Sequence, residues 1–214
     1  MQKFSTILFD FDGVLGKSVE DNYRAWSYAL SKQGIEIEAE EYYLLEGHRS
    51  PDVATKILTT HNCSLNVIDT IVKDKDDHYI QHNRFAFYEG SGEVVDWARS
   101  KGFKIGVVSG GSKRRLMSTA AKELLDHLDV VVTADDCTQG KPQPEPYLKA
   151  AKSLGISPAS CVVIENAPLG IQAAKNAEMV CIAICSTLDR KHLSQADYIV
   201  DSLKDVPALL ESIS

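Results

Sequence analysis

A short apolar run near the start of the chain, Ile7–Phe9, ends abruptly at Asp10. Such a run is typical of a buried strand that ends in a turn. In open α/β sheets ligands bind at the carboxyl edge of the strands, because the loops there leave a crevice that the packed strands do not. The stretch therefore predicts that Asp10 lies at a ligand-binding edge, with Gly13 allowing the chain to turn away.

A second carboxylate, Asp12, follows two residues after Asp10. Two carboxylates so close repel each other unless a cation lies between them or one of them is protonated. Mg²⁺ meets that need because it prefers oxygen ligands and binds through one or two carboxylates together with substrate phosphate. An ordinary Asp-Gly turn explains the same residues, because both types are common in turns. On these residues alone, both interpretations stay open.

The composition bounds the size of the core and the classes of partner. The 214 residues are 44% hydrophobic and 25% charged, which is enough for one good core and a smaller appended domain. The net charge of −7 argues against a nucleic-acid or anionic-membrane binder, whose affinity would depend on a basic face. We expect a monomer or a weak dimer that acts on a small molecule.

The location follows from the apolar runs and from the cysteines. No apolar run approaches the roughly 20 residues of a membrane span, and acidic residues begin at Asp10, so we expect neither a signal peptide nor a transmembrane helix. The five cysteines show no Cys-x-x-Cys spacing, which favours free thiols in a reducing compartment. We therefore expect a cytoplasmic protein.

The periodicity of the chain changes after its first third. Helical patterns follow one another from Val19 to about residue 85, and none is interrupted by a convincing strand. From Tyr88 onward helices and strands alternate, which indicates βαβ units and a parallel sheet. The predicted fold is α/β, with a Rossmann-like core formed by residues 1–14 and 85–214 and an α-helical insertion at residues 15–84.

Polar residues follow three further predicted strand ends or connections. Ser109 and Gly110 follow the strand that begins at Lys104, and a hydroxyl with flexible amides can bind phosphate. Lys141 heads a loop with three prolines in five residues, which would hold the cation rigidly against a carboxylate and a phosphoryl oxygen. Glu165 and Asn166 follow the strand 161–164 and supply oxygen atoms suited to Mg²⁺.

Together, these segments resemble the haloacid dehalogenase superfamily of aspartate-nucleophile phosphohydrolases. The segment 10–14 resembles the Asp-x-Asp-Gly-Val motif of that superfamily, and the loop 140–144 resembles its Gly-Lys-Pro-x-Pro motif. Arg24-Ala25-Trp26, in the first predicted helix of the insertion, and the stretch 47–52 resemble the β-phosphoglucomutase-like phosphatase branch. The family implies a helical cap at the insertion and the aspartyl-phosphate chemistry that splits one displacement into two easier ones.

The resemblance also implies roles for individual residues. Asp10 would be the nucleophile and Asp12 the general acid/base, while Ser109 and the amide of Gly110 would bind the transferring phosphoryl group. The cation at the reacting phosphate would be Lys141. The metal ligands for Mg²⁺ would be Asp10, Asp12, Glu165 and Asn166.

Three positions depart from the family pattern. Asn22 stands where sugar phosphomutases of this branch carry a histidine, which favours hydrolysis over mutase activity. Asn166 stands where the family more often has an aspartate, so we expect weaker metal binding. Lys17 replaces a usual aspartate, and an exposed lysine explains it more simply than a contact with substrate.

Substrate contacts are expected from the helical insertion. His48 and Arg49 would lie over the site when a cap closes and excludes water, although the same residues could instead pack the cap onto the core. The resulting hypothesis is a Mg²⁺-dependent phosphatase for a sugar phosphate or a phosphoglycolate-like acid. A β-phosphoglucomutase and a non-catalytic binder of phosphorylated ligands are the alternatives. The sequence does not identify the substrate.

Overall fold

The computed structural model describes residues 3–119, 124 and 127–213. Its sheet has six strands, all parallel, in the order β3-β2-β1-β4-β5-β6. The predicted α/β class with a Rossmann-like parallel sheet is therefore confirmed. The strands are β1 (Thr6–Phe9), β2 (Lys104–Val108), β3 (Val130–Val132), β4 (Cys161–Glu165), β5 (Val180–Ile184) and β6 (Tyr198–Val200).

Nine α-helices are described in these ranges, four of them before residue 85. One predicted helix, from Lys113 to Asp126, is described only over its first part, and its residues 120–123, 125 and 126 lie outside the described residues. The helices are α1 (Val19–Ser31), α2 (Ala39–Tyr43), α3 (Ser50–Thr60), α4 (Ile68–His82), α5 (Ser91–Ser100), α6 (Lys113–Thr119), α7 (Glu145–Leu154), α8 (Pro168–Asn176) and α9 (Val206–Ile213).

The helix boundaries differ from the predicted ones in a way that proline explains. Helix α7 begins at Glu145 and α8 at Pro168, each one residue earlier than the apolar pattern predicts. Proline fits in the first helical turn because the amide that it lacks would have no helical partner there. A predicted helix start at Leu65 is instead a short 3₁₀ turn, after which α4 begins at Ile68.

The central strand β1 is buried on both faces of the sheet. Ile7 and Phe9 point into one hydrophobic cluster, with Ile105 and Ile164 from the neighbouring strands, while Leu8 points into a second cluster on the opposite face. Side chains alternate across a strand, so a continuous apolar run fills both layers of helix packing. The first polar side chain after the strand, Asp10, consequently emerges at its carboxyl end.

The helices before residue 85 form a third hydrophobic cluster of their own. Trp26 from α1, Ile57 and Leu58 from α3, and Ile71 from α4 are all fully buried in it. In the part of the chain that the structure describes, no helix is both long and apolar enough to cross a bilayer. All five cysteines are free thiols, as the spacing predicts.

Candidate functional site

Three neighbouring strands bring the predicted residues together. β1 pairs with β2 on one side and with β4 on the other, so the carboxyl ends of the three strands lie side by side. Asp10 follows β1, Ser109 follows β2, and Glu165 ends β4. Gly13 turns the chain after β1 with a φ of +84°, a conformation that glycine adopts without strain.

Lys141 lies at the centre of a buried carboxylate network. Its Nζ donates to Asp10 Oδ1 at 2.6 Å, to Glu165 Oε1 at 2.7 Å and to the Val108 carbonyl at 3.1 Å. The two carboxylates raise the pKa of Lys141 against the effect of burial, so the ammonium stays charged. Burial raises the pKa of Asp10, and the charges of Glu165 and Asp12 add to this effect, whereas the charge and hydrogen bond of Lys141 oppose it and favour the carboxylate.

Glu165 positions that lysine and has little capacity left for other partners. Its Oε1 accepts from Lys141 and from the Tyr147 hydroxyl at 2.9 Å. Its Oε2 accepts from the backbone amides of Asn166 at 2.8 Å and Ala167 at 3.0 Å. The carboxylate thus holds the lysine and satisfies two amides in the turn between β4 and α8.

Asp12 is held by a different cation, Arg115 from α6. The guanidinium is bidentate, with Nη1 at 2.8 Å from Oδ1 and Nη2 on Oδ2. Ser18 and Asn22 also donate to Asp12 Oδ1, and the Ser109 hydroxyl lies 3.4 Å from Oδ2. Although burial opposes ionisation, the charge and hydrogen bonds of Arg115 lower the pKa of Asp12 to about 2.

Asn166 connects the sheet to the helical segment. Its Nδ2 donates to Glu46 Oε2 at 3.2 Å and to Thr187 Oγ1 at 3.0 Å, while its Oδ1 is buried and has no hydrogen-bond partner among the described residues. Glu46 is 5% exposed, and burial together with the charges of Asp12, Asp10 and Glu165 raises its pKa well above the usual range.

A narrow cavity of about 30 Å³ lies between the strand ends and the helical segment. Its floor contains Asp10 and Asp12. Lys75 reaches it from α4, 2% exposed, with its Nζ 3.2 Å from Asp76 Oδ1 and its pKa lowered to about 8, chiefly by burial. The lining residues include Asp10, Asp12, Trp26, Glu46, Lys75 and Arg115.

The residues expected to contact substrate from the insertion have different surroundings. His48 lines the cavity, and its Nδ1 lies 2.8 Å from the Lys141 carbonyl, which accepts the ring N–H. Arg49 instead holds Asp52 through Nε at 2.8 Å and donates to the Thr138 carbonyl at 2.7 Å. These contacts of Arg49 favour the alternative in which it packs the helical insertion onto the core. Gly110 packs against the backbone at residue 47, where a Cβ would lie 2.5 Å from the Gly47 carbonyl oxygen.

Other expected positions fit the simpler interpretations. Lys17 is exposed, with its Nζ 5.5 Å from the centre of the Tyr88 ring. Sequence reasoning missed Glu46, Lys75 and Arg115. Lys75 and Arg115 occur in charged runs typical of solvated helix faces, and Glu46 precedes a glycine in an ordinary turn. No local pattern marks these three as buried.

The donors present fit a hard divalent cation. Within the described ranges, no three His, Cys, Asp or Glu side chains are arranged to hold a metal by themselves. A site here must therefore use amide or backbone oxygens as well. Asn166 Oδ1 is a buried oxygen that accepts no hydrogen bond from the described residues, and the amide that carries it lies beside the Glu46 carboxylate. The predicted ligands Asp10, Asp12 and Asn166 are compatible with such a site.

Comparison with known proteins assigns the family. Residues 7–184 match the model of the haloacid dehalogenase-like hydrolases. The chain is 28% identical over 211 residues to validoxylamine A 7'-phosphate phosphatase of Streptomyces hygroscopicus subsp. limoneus, covering 95% of this chain and 96% of that protein. It is 26% identical over 200 residues to hexitol phosphatase A of Escherichia coli, covering 93% and 91%. Other relatives are longer, and the chain spans 19% of one of them.

The solved structures agree with this assignment. A putative beta-phosphoglucomutase from Bacteroides vulgatus superposes with a TM-score of 0.87 at 28% identity, covering 99% of this chain and 89% of the other. The chain belongs to the haloacid dehalogenase-like hydrolase family. Within that family it belongs to the β-phosphoglucomutase-like branch, as its motifs predict.

Proposed function

We propose that the chain is a Mg²⁺-dependent phosphatase that hydrolyses a small phosphorylated metabolite through an aspartyl-phosphate intermediate. The family and its phosphatase relatives identify the chain as a haloacid dehalogenase-like phosphatase. The observation that carries the finer proposal is the position of Asp10. Its carboxylate lies at the end of the central strand, 2.6 Å from Lys141 Nζ, on the floor of the cavity.

The proposed reaction uses the two aspartates in different roles. Asp10 attacks phosphorus, and the charge of Lys141 with the Ser109 hydroxyl stabilises the oxygens that become negative. Bound Mg²⁺ would neutralise further charge on the phosphoryl group, with ligands drawn from Asp10, Asp12 and Asn166. Glu165 was also predicted as a ligand, but its four hydrogen bonds favour a role in holding Lys141.

Asp12 would protonate the leaving oxygen and then activate water. While Arg115 is bound to Asp12, the low pKa of Asp12 keeps its carboxyl group ionised. In this state Asp12 has no proton to donate to the leaving oxygen. The proposal therefore requires Arg115 to leave Asp12 when an anionic substrate enters the cavity. A phosphate or carboxylate of the substrate suits the planar guanidinium, which binds such groups through two N–H donors.

We further propose the domain division 1–14 and 85–214 for the core and 15–84 for a helical cap. The separate hydrophobic cluster between Val19 and Val72 supports it, because such a cluster lets the helices move as one body. His48 from this segment lies against the cavity and would contact substrate. A cytoplasmic location and a monomer or weak dimer complete the proposal.

Two observations bear on the substrate and on the alternative reaction. One relative is named for validoxylamine A 7'-phosphate and another for hexitols, which supports a sugar phosphate as the substrate, with a phosphoglycolate-like acid as the other candidate. A solved neighbour carries the name of a putative beta-phosphoglucomutase, so mutase activity is the second candidate. Asn22 donates to Asp12 at 3.2 Å, at the position where mutases of this branch carry a histidine, and this favours water as the final acceptor.

The test is phosphate release from a panel of phosphorylated metabolites, with Mg²⁺ and with EDTA. Metal-dependent release by the wild type and none by Asp10→Asn supports the proposal. β-Glucose 1-phosphate is assayed with a coupled readout for glucose 6-phosphate, and its formation without phosphate release would establish the mutase instead. If no metabolite in the panel releases phosphate, the result would favour a protein that binds phosphorylated ligands without catalysis.

A further inference from the structure

We propose that Glu46, from the helical segment, is a ligand of the divalent cation and supplies the carboxylate that Asn166 lacks. The inference rests on the proposed function, because that function calls for the cation. It adds a residue that the motifs of the core do not contain. It also makes metal binding depend on the contact between the helical segment and the strand ends.

The acids at the strand ends of the core already accept most of the hydrogen bonds that they can. Both oxygens of Glu165 are occupied by Lys141, Tyr147 and two backbone amides. Both oxygens of Asp12 are held by Arg115. Of the three carboxylates at the strand ends, only Asp10 keeps an oxygen, Oδ2, that accepts no hydrogen bond from the described residues.

Glu46 is a buried acid of the helical segment that faces the strand ends. It is 5% exposed and lines the same cavity as Asp10. Its Oε2 accepts a hydrogen bond from Asn166 Nδ2 at 3.2 Å. No lysine, arginine or histidine among the described residues forms an ion pair with Glu46. A carboxylate taken out of water is costly unless a cation or several donors compensate. A single amide does not provide that compensation.

Asn166 contributes a buried carbonyl oxygen beside Glu46. The residue is 1% exposed, and no described residue donates to its Oδ1, although its Nδ2 donates to both Glu46 and Thr187. A buried carbonyl oxygen without a donor is destabilising. A hard cation beside Asn166 would be coordinated by this oxygen and by the adjacent carboxylate of Glu46.

These observations favour Mg²⁺ and Mn²⁺ as the chemical class of ligand. Without substrate, while Arg115 holds both oxygens of Asp12, the donors are Asp10, Glu46 and Asn166, which are oxygen ligands from three different parts of the chain. Two of them belong to the core and one to the helical segment. A bound cation would therefore stabilise the arrangement in which the helical segment covers the strand ends.

The experiment measures metal binding without substrate. Mn²⁺ and Mg²⁺ are titrated by calorimetry into metal-free wild type, Glu46→Gln, Glu40→Gln and the double variant Glu46→Gln with Asn166→Asp. Glu40 is an exposed acid of the neighbouring helix α2, so its variant carries the same change in charge. Thermal unfolding in EDTA verifies that each variant is folded.

We expect Glu46→Gln to weaken Mn²⁺ binding by at least about tenfold, because a charged ligand is lost. Glu40→Gln should bind as the wild type does. In the double variant, the added change Asn166→Asp returns a carboxylate to the same place, so affinity should recover toward the wild-type value. Equal Mn²⁺ affinity of Glu46→Gln and wild type would overturn the inference, as would a wild type that binds neither ion.

These outcomes are separable from a failure of the proposed function. Phosphate release by the wild type with Mg²⁺ tests the phosphatase, whatever the ligand set. If release requires Mg²⁺ while Glu46→Gln binds Mn²⁺ normally, the phosphatase stands and only the role of Glu46 is lost.

Discussion

Arg115 and Asp12 form a bidentate ion pair that joins α6 to the turn after the first strand. Nη1 lies 2.8 Å from Oδ1, and the guanidinium side chain is 2% exposed. The ring of Tyr79 from α4 lies 5.2 Å from the guanidinium carbon. The acid that the family motif assigns to proton transfer is therefore controlled by a residue outside the motifs.

Removing this cation should destabilise the protein. Arg115→Ala leaves the Asp12 carboxylate buried without its counter-charge, and breaking one side of a buried pair costs about 3 kcal/mol or more in free energy of unfolding. Arg114→Ala is the control, because Arg114 is 61% exposed and its pair with Asp77 lies at the surface. The Arg114→Ala variant should lose less than about 1 kcal/mol in free energy of unfolding. Urea unfolding at pH 7 measures both, and equal losses would contradict this account.

Lys141 should be needed for turnover. Lys141→Met removes the charge that lies 2.6 Å from Asp10 and would stabilise the transferring phosphoryl group. We expect kcat for phosphate release to fall by at least about 100-fold, the usual scale for one electrostatic stabiliser. Lys152→Met, an exposed lysine at the end of α7, should leave kcat unchanged. A Lys141→Met enzyme within tenfold of the wild type would exclude this role.

Lys75 should make stability depend on pH in the alkaline range. Its pKa is about 8 in the folded protein against 10.5 for an ordinary lysine, chiefly because burial disfavours the charge. Between these values the unfolded chain binds more protons than the folded one, so this contribution to stability rises with pH. A shift of this size corresponds to about 2 kcal/mol gained between pH 7 and pH 10.

The matched measurement compares wild type with Lys75→Met. Methionine has a similar length and no charge to titrate. The free energy of unfolding of the wild type, measured relative to that of Lys75→Met, should therefore increase by about 2 kcal/mol as pH rises from 7 to 10. A difference that stays constant over this range would show that the burial of Lys75 does not lower its pKa.

A side chain at Gly13 should destabilise the protein because Asn166 lies over this position. A Cβ at Gly13 would meet Asn166 Nδ2 at 2.1 Å, whereas one at Gly34 would meet nothing within 4 Å. Both glycines have positive φ, +84° and +72°, so alanine introduces similar backbone strain at each. Gly13→Ala should cost about 1 to 3 kcal/mol more than Gly34→Ala in urea unfolding. Equal costs would mean that Asn166 moves aside freely.

The sequence by itself determined the parallel α/β sheet and the sheet edge at which we propose the site. The run Ile7–Phe9 is apolar at every position because β1 packs against helices on both faces, and this pattern is readable without tertiary contacts. Polar residues directly after β1, β2 and β4 identified the edge, since parallel strands place their carboxyl ends together. The family motifs then added roles for Asp10 and Lys141.

The tertiary structure alone decided which charges face the site. Glu46, Lys75 and Arg115 occur in polar stretches whose local pattern is that of exposed residues, and each becomes buried only when the helical segment packs over the strand ends. The same packing places Asn166 against Glu46 and brings Arg49 to the Thr138 carbonyl. Such contacts join residues up to 120 positions apart, and periodicity reports only neighbours on one helix or strand.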